Sequence, residues 1–158
     1  MSYRRIVPPL VTVGLVMVAL IPFSLLRAQS STDPWSASQT TYATEFAKEL
    51  TTSKSPATVL FVGFSRLYTA AHIKGAQFHG TGGKPEGIEE IKKWAGPLPR
   101  STNLVIYCGC CPMDHCPNVR PAFSVLHEMG FTNLRVLILP TSFAVDWAEK
   151  GLPYDKGQ

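Results

Sequence analysis

The chain has 158 residues and is 45% hydrophobic, 10% aromatic and 16% charged, a length and composition that suit one globular domain. Its 15 Lys and Arg against 11 Asp and Glu give +4, but Arg4, Arg5 and Arg27 lie in or beside one apolar run, and without them the balance is 12 minus 11, or +1. A nucleic-acid partner is therefore not expected, and plentiful apolar residues without a repeat exclude collagen-like, coiled-coil and disordered chains.

The first 28 residues have the layout of a secretory signal peptide. Two arginines precede a compact apolar stretch at residues 10–20, and a polar segment follows at residues 27–31. Residues 6–26 carry no charge, so an uncleaved membrane anchor is the alternative, although three prolines weaken a continuous helix. Both interpretations predict an exported domain, periplasmic or extracellular, which meets a membrane only if the leader is uncleaved. Residues 29–37 are predicted to be a flexible lead-in.

Beyond the lead-in, short apolar strands alternate with helical segments. The predicted elements, in chain order, are helix 37–50, strand 58–62, loop 64–71, strand 76–78, a glycine-rich loop 80–87, helix 88–94, strand 103–107, helix 118–129, strand 134–139 and helix 142–150. This alternation predicts an α/β domain in which helices cover both faces of a mostly parallel sheet.

All four cysteines fall within nine residues, at Cys108, Cys110, Cys111 and Cys116. The cluster begins where the predicted strand 103–107 ends, and the sites of open α/β sheets collect at the carboxyl ends of strands. A loop that bends from a strand into a helix can point backbone N–H groups inward, which lowers the pKa of a thiol. The position therefore predicts a thiolate nucleophile.

A second segment points to the same chemistry. The sequence Tyr68-Thr69-Ala70-Ala71-His72-Ile73-Lys74-Gly75-Ala76 resembles a motif of the rhodanese family, in which an aromatic residue is followed by His, an aliphatic residue and Gly-Ala. The ending, with Leu126-His127-Glu128-Met129-Gly130-Phe131 and later Gly151-Leu152-Pro153, is also similar to that family. The resemblance assigns a rhodanese-like domain to residues 38–156, and within its motif Tyr68, His72 and Gly75 are expected to be structural.

The resemblance implies a three-layer rhodanese-like fold with a mostly parallel five-stranded sheet flanked by helices. It also implies a sulfurtransferase that takes sulfane sulfur from thiosulfate or a persulfide donor and passes it to a thiol acceptor. Cys108 would be the catalytic nucleophile, with Cys110, Cys111 and Cys116 as supporting or resolving thiols. Gly109, Asn118 and Arg120 would bind the substrate, and no cofactor would be required.

The cysteine loop departs from the family pattern, because it is several residues longer and the extra residues are mainly Cys and His. Two alternatives therefore stay open. Cys108, Cys110, Cys111, His115 and Cys116 offer up to five soft ligands, which suits Zn or Cu in a metal-binding or delivery module on a rhodanese scaffold. The Cys-x-x-Cys spacing at residues 108–111 suits a thiol–disulfide redox protein.

Overall fold

Parallel strands form a central sheet in residues 33–157, which the computed structural model describes together with Met1. In chain order the strands are β1 (Thr40–Tyr42), β2 (Thr58–Phe61), β3 (His72–Ile73), β4 (Gln77–Phe78), β5 (Leu104–Tyr107), β6 (Leu134–Ile138) and β7 (Tyr154–Asp155). The sheet has the order β1-β6-β5-β2-β4, and every pair in it is parallel. The expected five-stranded parallel sheet is confirmed.

Helices cover both faces of this sheet. They are α1 (Ala43–Thr52), α2 (Ser65–Ala70), α3 (Pro85–Ala95), α4 (Val119–Glu128) and α5 (Ala144–Ala148), the last of them a π-helix. Because side chains alternate along a strand, β5 sends Ile106 into the core with α3 and α4, and Tyr107 into the core with α1. The architecture is therefore the expected three-layer α/β fold.

The start of the domain differs from its prediction as one helix over residues 37–50. Residues 37–39 form a 3₁₀ turn, and β1 precedes α1. The two threonines and the tyrosine of β1 favour extended backbone, and the strand pairs with β6 through Thr40 opposite Val136. Tertiary pairing thus decides the structure of a segment whose spacing suggested a helix. The loop predicted over residues 64–71 likewise contains α2.

The leader predicted over residues 1–28 and the beginning of the lead-in lie, apart from Met1, outside the described residues. Within residues 33–157, no helix is long and apolar enough to span a membrane.

The Tyr68 to Ala76 motif builds the turn between α2 and β4. The Tyr68 hydroxyl donates to the Ala76 carbonyl at 2.7 Å, and His72 Nδ1 lies 2.8 Å from the Tyr68 carbonyl while the two rings stack. Gly75 has a φ of 76°, and its N–H donates to the Asp155 carboxylate at 3.3 Å. These contacts attach the turn to β7, away from the cysteine loop.

A charged group fixes α1 to the sheet. Arg135 on β6 donates to both carboxylate oxygens of Glu49, at 2.9 and 2.7 Å, and to the Asn103 side-chain oxygen at 2.9 Å. These bonds lower the pKa of Glu49 below its usual value, although partial burial opposes the effect.

Candidate functional site

Four thiols meet just beyond the carboxyl end of β5. Cys108 and Cys116 are 1% and 3% exposed, whereas Cys110 and Cys111 are half-buried. The Sγ atom of Cys110 lies 3.0 Å from that of Cys108 and 3.2 Å from that of Cys111. The sulfurs of Cys108, Cys110 and Cys116 all lie within 4.8 Å of one another, and all four cysteines are free thiols. The loop therefore forms one sulfur cluster, which we call the thiol cluster.

The backbone path of the loop explains how Cys116 returns to Cys108. Gly109 turns the chain with a φ of 70°, and a Cβ there would lie only 2.7 Å from the Cβ of Phe143. The Gly109 carbonyl accepts the N–H of Phe143 at 2.9 Å. A 3₁₀ turn over Met113–His115 then reverses the chain, and the Cys116 N–H donates to the Met113 carbonyl at 3.2 Å. Gly109 thus acts as a turn residue anchored to the neighbouring loop.

Asn118 joins the thiol cluster to the glycine-rich loop. It is 1% exposed, and its Nδ2 donates to the sulfurs of Cys108 and Cys110 at 3.4 and 3.6 Å. Its Oδ1 accepts the N–H of Gly83 at 3.0 Å. A Cβ on Gly83 would lie 2.6 Å from that Oδ1, and one on Gly82 would lie 2.2 Å from the Asn118 carbonyl oxygen. The glycines are therefore required for Asn118 to approach, a relation that sequence reasoning missed.

The surroundings of Cys116 stabilise a thiolate. Its sulfur lies within 4.8 Å of those of Cys108 and Cys110, and the backbone N–H groups of Asn118 and Val119 lie beside it where α4 begins. The Cys108 thiol and these N–H groups lower the pKa of Cys116 to about 5, although burial acts in the opposite direction. The thiolate form is therefore favoured at Cys116.

Two neighbouring thiols have raised pKa values. The interaction with Cys116, together with burial, raises the pKa of Cys108 far above its usual value. Burial and the Cys110 thiol raise the pKa of Cys111 to about 12. Cys108 does follow β5 directly, as the sequence indicates, but its thiol donates to the Cys110 sulfur at 3.0 Å. Its role as the nucleophile stays a prediction.

Arg120, predicted to bind an anionic substrate, is engaged with the protein itself. Its guanidinium contacts Asp33 Oδ1 through Nε at 2.9 Å and NH2 at 2.7 Å, and NH1 donates to the carbonyls of Met113 and Cys116 at 3.1 and 3.2 Å. It also lies 5.7 Å from the centre of the Trp35 ring. We call these contacts the Arg120 clasp. It fastens residues 33–35, the end of the predicted lead-in, to the cysteine loop.

His115, the fifth ligand in the metal interpretation, lies apart from the sulfurs. Its side chain is 79% exposed, and its Nε2 is 3.3 Å from an Asp114 carboxylate oxygen. Within residues 33–157, the cluster of potential metal ligands consists of Cys108, Cys110 and Cys116. A metal bound here would therefore be held by sulfur.

Asp146 is a buried acid that sequence reasoning did not single out. It is 6% exposed, and its Oδ2 accepts the backbone N–H groups of Thr141 and Ser142 at 2.6 and 2.9 Å. These residues form the loop after β6, beside the cysteine loop. An acid next to the apolar Trp147 in a helix after a strand is the sequence signal that would have indicated this role.

Comparisons with known proteins show structural relatives only. No family model matches the sequence, and the search of curated proteins gave no significant match. The fold is similar to the rhodanese-like domain of the Alr3790 protein from Anabaena sp., with 21% identity, a TM-score of 0.56 and coverage of 75% of this chain and 79% of that one. It is also similar to BH2092 from Bacillus halodurans (18% identity, TM-score 0.59, coverage 75% and 77%). The hp1203 protein of Helicobacter pylori is another match (14% identity, TM-score 0.52, coverage 76% and 91%).

Proposed function

Because the chain has the rhodanese-like fold and gathers four thiols at the carboxyl end of β5, we propose that it is a sulfurtransferase that carries sulfane sulfur as a persulfide. One observation carries the proposal: three sulfurs converge within 4.8 Å beyond the end of β5, where the Cys108 thiol and the backbone N–H groups at the start of α4 lower the pKa of Cys116 to about 5. A thiolate held in this way is the nucleophile that such transfer needs. No organic cofactor takes part in this chemistry.

The first half of the reaction loads the carrier. The Cys116 thiolate attacks the sulfane sulfur of thiosulfate, and a new sulfur–sulfur bond forms on the cysteine. The sulfane sulfur–sulfonate bond breaks, and sulfite leaves with the electron pair. A persulfide anion then occupies the place of the thiolate, where the same N–H groups stabilise its charge. A thiol acceptor completes transfer by attacking the outer sulfur.

We propose Cys116 rather than Cys108 as the carrier because the backbone N–H groups that lower its pKa, those of Asn118 and Val119, lie at the start of α4 beside it. Cys108 lies at the strand end with Asn118 Nδ2 at 3.4 Å. In this proposal Cys108 and Asn118 line the site beside the Cys116 sulfur, and Gly109 forms the turn at the start of the cysteine loop.

Sulfite release from thiosulfate tests the carrier. Fully reduced, full-length chain is mixed with thiosulfate without oxygen, and sulfite and intact mass are measured. We expect wild-type chain to release sulfite, and Cys116→Ser to release none because no other thiol has the same stabilisation. The matched Cys108→Ser variant is expected to keep sulfite release. Loss of release in Cys108→Ser with retention in Cys116→Ser would instead make Cys108 the carrier.

A soft-metal module is the second candidate, favoured by the convergence of three sulfurs within 4.8 Å. Sulfurs at about 2.3 Å from a tetrahedral Zn are about 3.8 Å apart, so Cys108, Cys110 and Cys116 need only small movements to bind an ion. Metal binding would occupy the Cys116 lone pairs and block attack on thiosulfate. Incubation with Zn(II) or Cu(I) alone, followed by desalting and elemental analysis, separates the candidates. Retained stoichiometric metal that abolishes sulfite release supports the metal module, whereas full activity in a strong chelator supports the transferase.

Export is proposed from the leader alone. The two arginines and the apolar stretch at residues 10–20 support a domain in the periplasm or outside the cell, either released after residue 28 or anchored. N-terminal sequencing of protein from the exported fraction tests this. A first residue near Gln29 supports cleavage, full-length protein in membranes supports the anchor, and soluble cytoplasmic protein that keeps Met1 contradicts both.

A further inference from the structure

The sulfur of Cys116 has other sulfurs as its nearest reaction partners. The sulfurs of Cys108 and Cys110 both lie within 4.8 Å of it. Cys116 itself is only 3% exposed. A persulfide formed there would therefore meet an internal thiol before it met an external acceptor.

We infer that the Cys108 thiol resolves the Cys116 persulfide, so that the chain releases hydrosulfide and keeps a disulfide between Cys108 and Cys116. The inference rests on the proposed function and deepens it. Sulfane sulfur is then reduced inside the protein, with two of its own thiols as the source of electrons. The activity is thiosulfate- or persulfide-dependent sulfide release.

The step balances within the thiol cluster. The Cys108 proton moves to the outer sulfur of the Cys116 persulfide anion, and the Cys108 sulfur attacks the inner sulfur. The bond between the two persulfide sulfurs breaks, and hydrosulfide leaves with the electron pair and the proton. In this step the outer sulfur is reduced and the Cys108 sulfur is oxidised; over loading and resolution together, two thiols become the disulfide. Each further turnover consumes an external dithiol reductant.

Two features favour Cys108 over Cys110 and Cys111. At 1% exposure it is more buried than either, so it cannot exchange its proton readily with water. Asn118 Nδ2 lies 3.4 Å from its sulfur and stabilises the negative charge that develops as the proton leaves.

A single-turnover experiment tests the inference. Reduced, desalted, full-length chain is mixed with thiosulfate without oxygen, reductant or acceptor thiol, and sulfite, sulfide and intact mass are followed together. We expect one sulfide for each sulfite, a chain lighter by two hydrogens, and a disulfide between Cys108 and Cys116 on peptide mapping. Cys108→Ser should still release sulfite but lose sulfide release, and its mass should increase by one sulfur. If the serine variant misfolds, peptide mapping of the wild-type chain decides, because a disulfide that pairs Cys116 with a residue other than Cys108 overturns the assignment.

The outcomes separate the inference from the function on which it rests. Sulfite without sulfide in wild-type chain, with a stable persulfide, overturns the resolving role and leaves the transferase standing. Neither product, with unchanged mass, overturns both. Sulfide release that survives in Cys108→Ser but is lost in Cys110→Ser or Cys111→Ser overturns the assignment to Cys108.

Discussion

Two neighbouring loops at the carboxyl edge of the sheet use their backbone N–H groups for different anions. In the loop after β6, the carboxylate of Asp146 accepts two N–H groups from Thr141 and Ser142. In the loop after β5, the N–H groups of Asn118 and Val119 help to lower the pKa of the Cys116 thiol. The loops touch through the Phe143 N–H and the Gly109 carbonyl, at 2.9 Å. The carboxylate closes its loop without reacting, whereas a thiolate held in the same way is a nucleophile.

The largest expected effect comes from exchanging the two anions for neutral groups. Cys116→Ser should abolish sulfite release per folded chain, because the nucleophile is lost, and should lower the free energy of unfolding by about 1 kcal/mol, because a hydroxyl replaces a buried thiol. Asp146→Asn should lower the free energy of unfolding by about 1–3 kcal/mol, because buried N–H groups lose a charged acceptor, and should keep sulfite release per folded chain. Urea titrations and sulfite assays on both variants check this. Equal losses of stability and activity in both would show that the loops act as one unit.

The second effect is the pH dependence of the thiolate. Because the pKa of Cys116 is lowered to about 5, alkylation of Cys116 should be independent of pH above about 6 and should decline as the pH falls through 5. Alkylation of Cys111 should still be rising at pH 9, since its pKa is raised to about 12. Peptide mass spectrometry after short exposure to a small alkylating reagent measures both rates. Parallel pH profiles for the two cysteines would contradict the assignment.

A smaller effect probes the contact between the loops. Gly109→Ala should lower the free energy of unfolding in two ways. The left-handed backbone at this position costs an alanine about 1–2 kcal/mol, and the close approach of the new Cβ to Phe143 adds a steric cost. Gly130→Ala is the matched control, since Gly130 also has a positive φ, 90°, but nothing lies within 4 Å of its added Cβ. The difference between the two variants in urea unfolding measures the steric part. Equal losses of unfolding free energy in the two variants would mean that the cysteine loop and the loop after β6 move apart to accommodate the new Cβ without a steric cost.

The smallest expected effect lies away from both loops, in the pair formed by Glu49 and Arg135. The pKa of Glu49 is lowered in the folded state, so its contribution to stability is present above the unfolded pKa and is lost as the pH falls through the folded pKa. Glu49→Gln should therefore cost about 1 kcal/mol at pH 7 and less at pH 3. The control is Glu89→Gln, which removes an exposed contact to Lys92. A Glu49→Gln cost that persists unchanged at pH 3 would contradict the assignment.

The sequence allowed much of the fold to be predicted because the long buried strands are unambiguous. The apolar runs at β2, β5 and β6 have few alternatives, and the alternation with helices defines a parallel sheet. β1 was missed because three residues beside a helix carry no clear period, and only pairing with β6 makes them a strand. Local signals decide the centre of the sheet, while its edge depends on distant partners.

The sequence predicted which cysteines form the thiol cluster, but not which of them has the lowest pKa. Cysteine spacing placed four thiols after β5, as the structure has them. Which sulfur receives the N–H groups depends on where α4 begins and on Asn118, which needs the close approach of Gly83. The Arg120 clasp joins residues 87 positions apart in the sequence, a contact that no local pattern encodes.

The Arg120 clasp limits how far the N-terminus can be shortened without loosening the cysteine loop. The proposed cleavage after residue 28 would keep Asp33 and Trp35, whereas trimming beyond Trp35 would remove both partners and leave Arg120 with the Met113 and Cys116 carbonyls alone. A half-buried guanidinium that loses its carboxylate holds its loop less firmly. Removal of a few residues beyond the proposed cleavage point would thereby also alter the reactivity of the thiols.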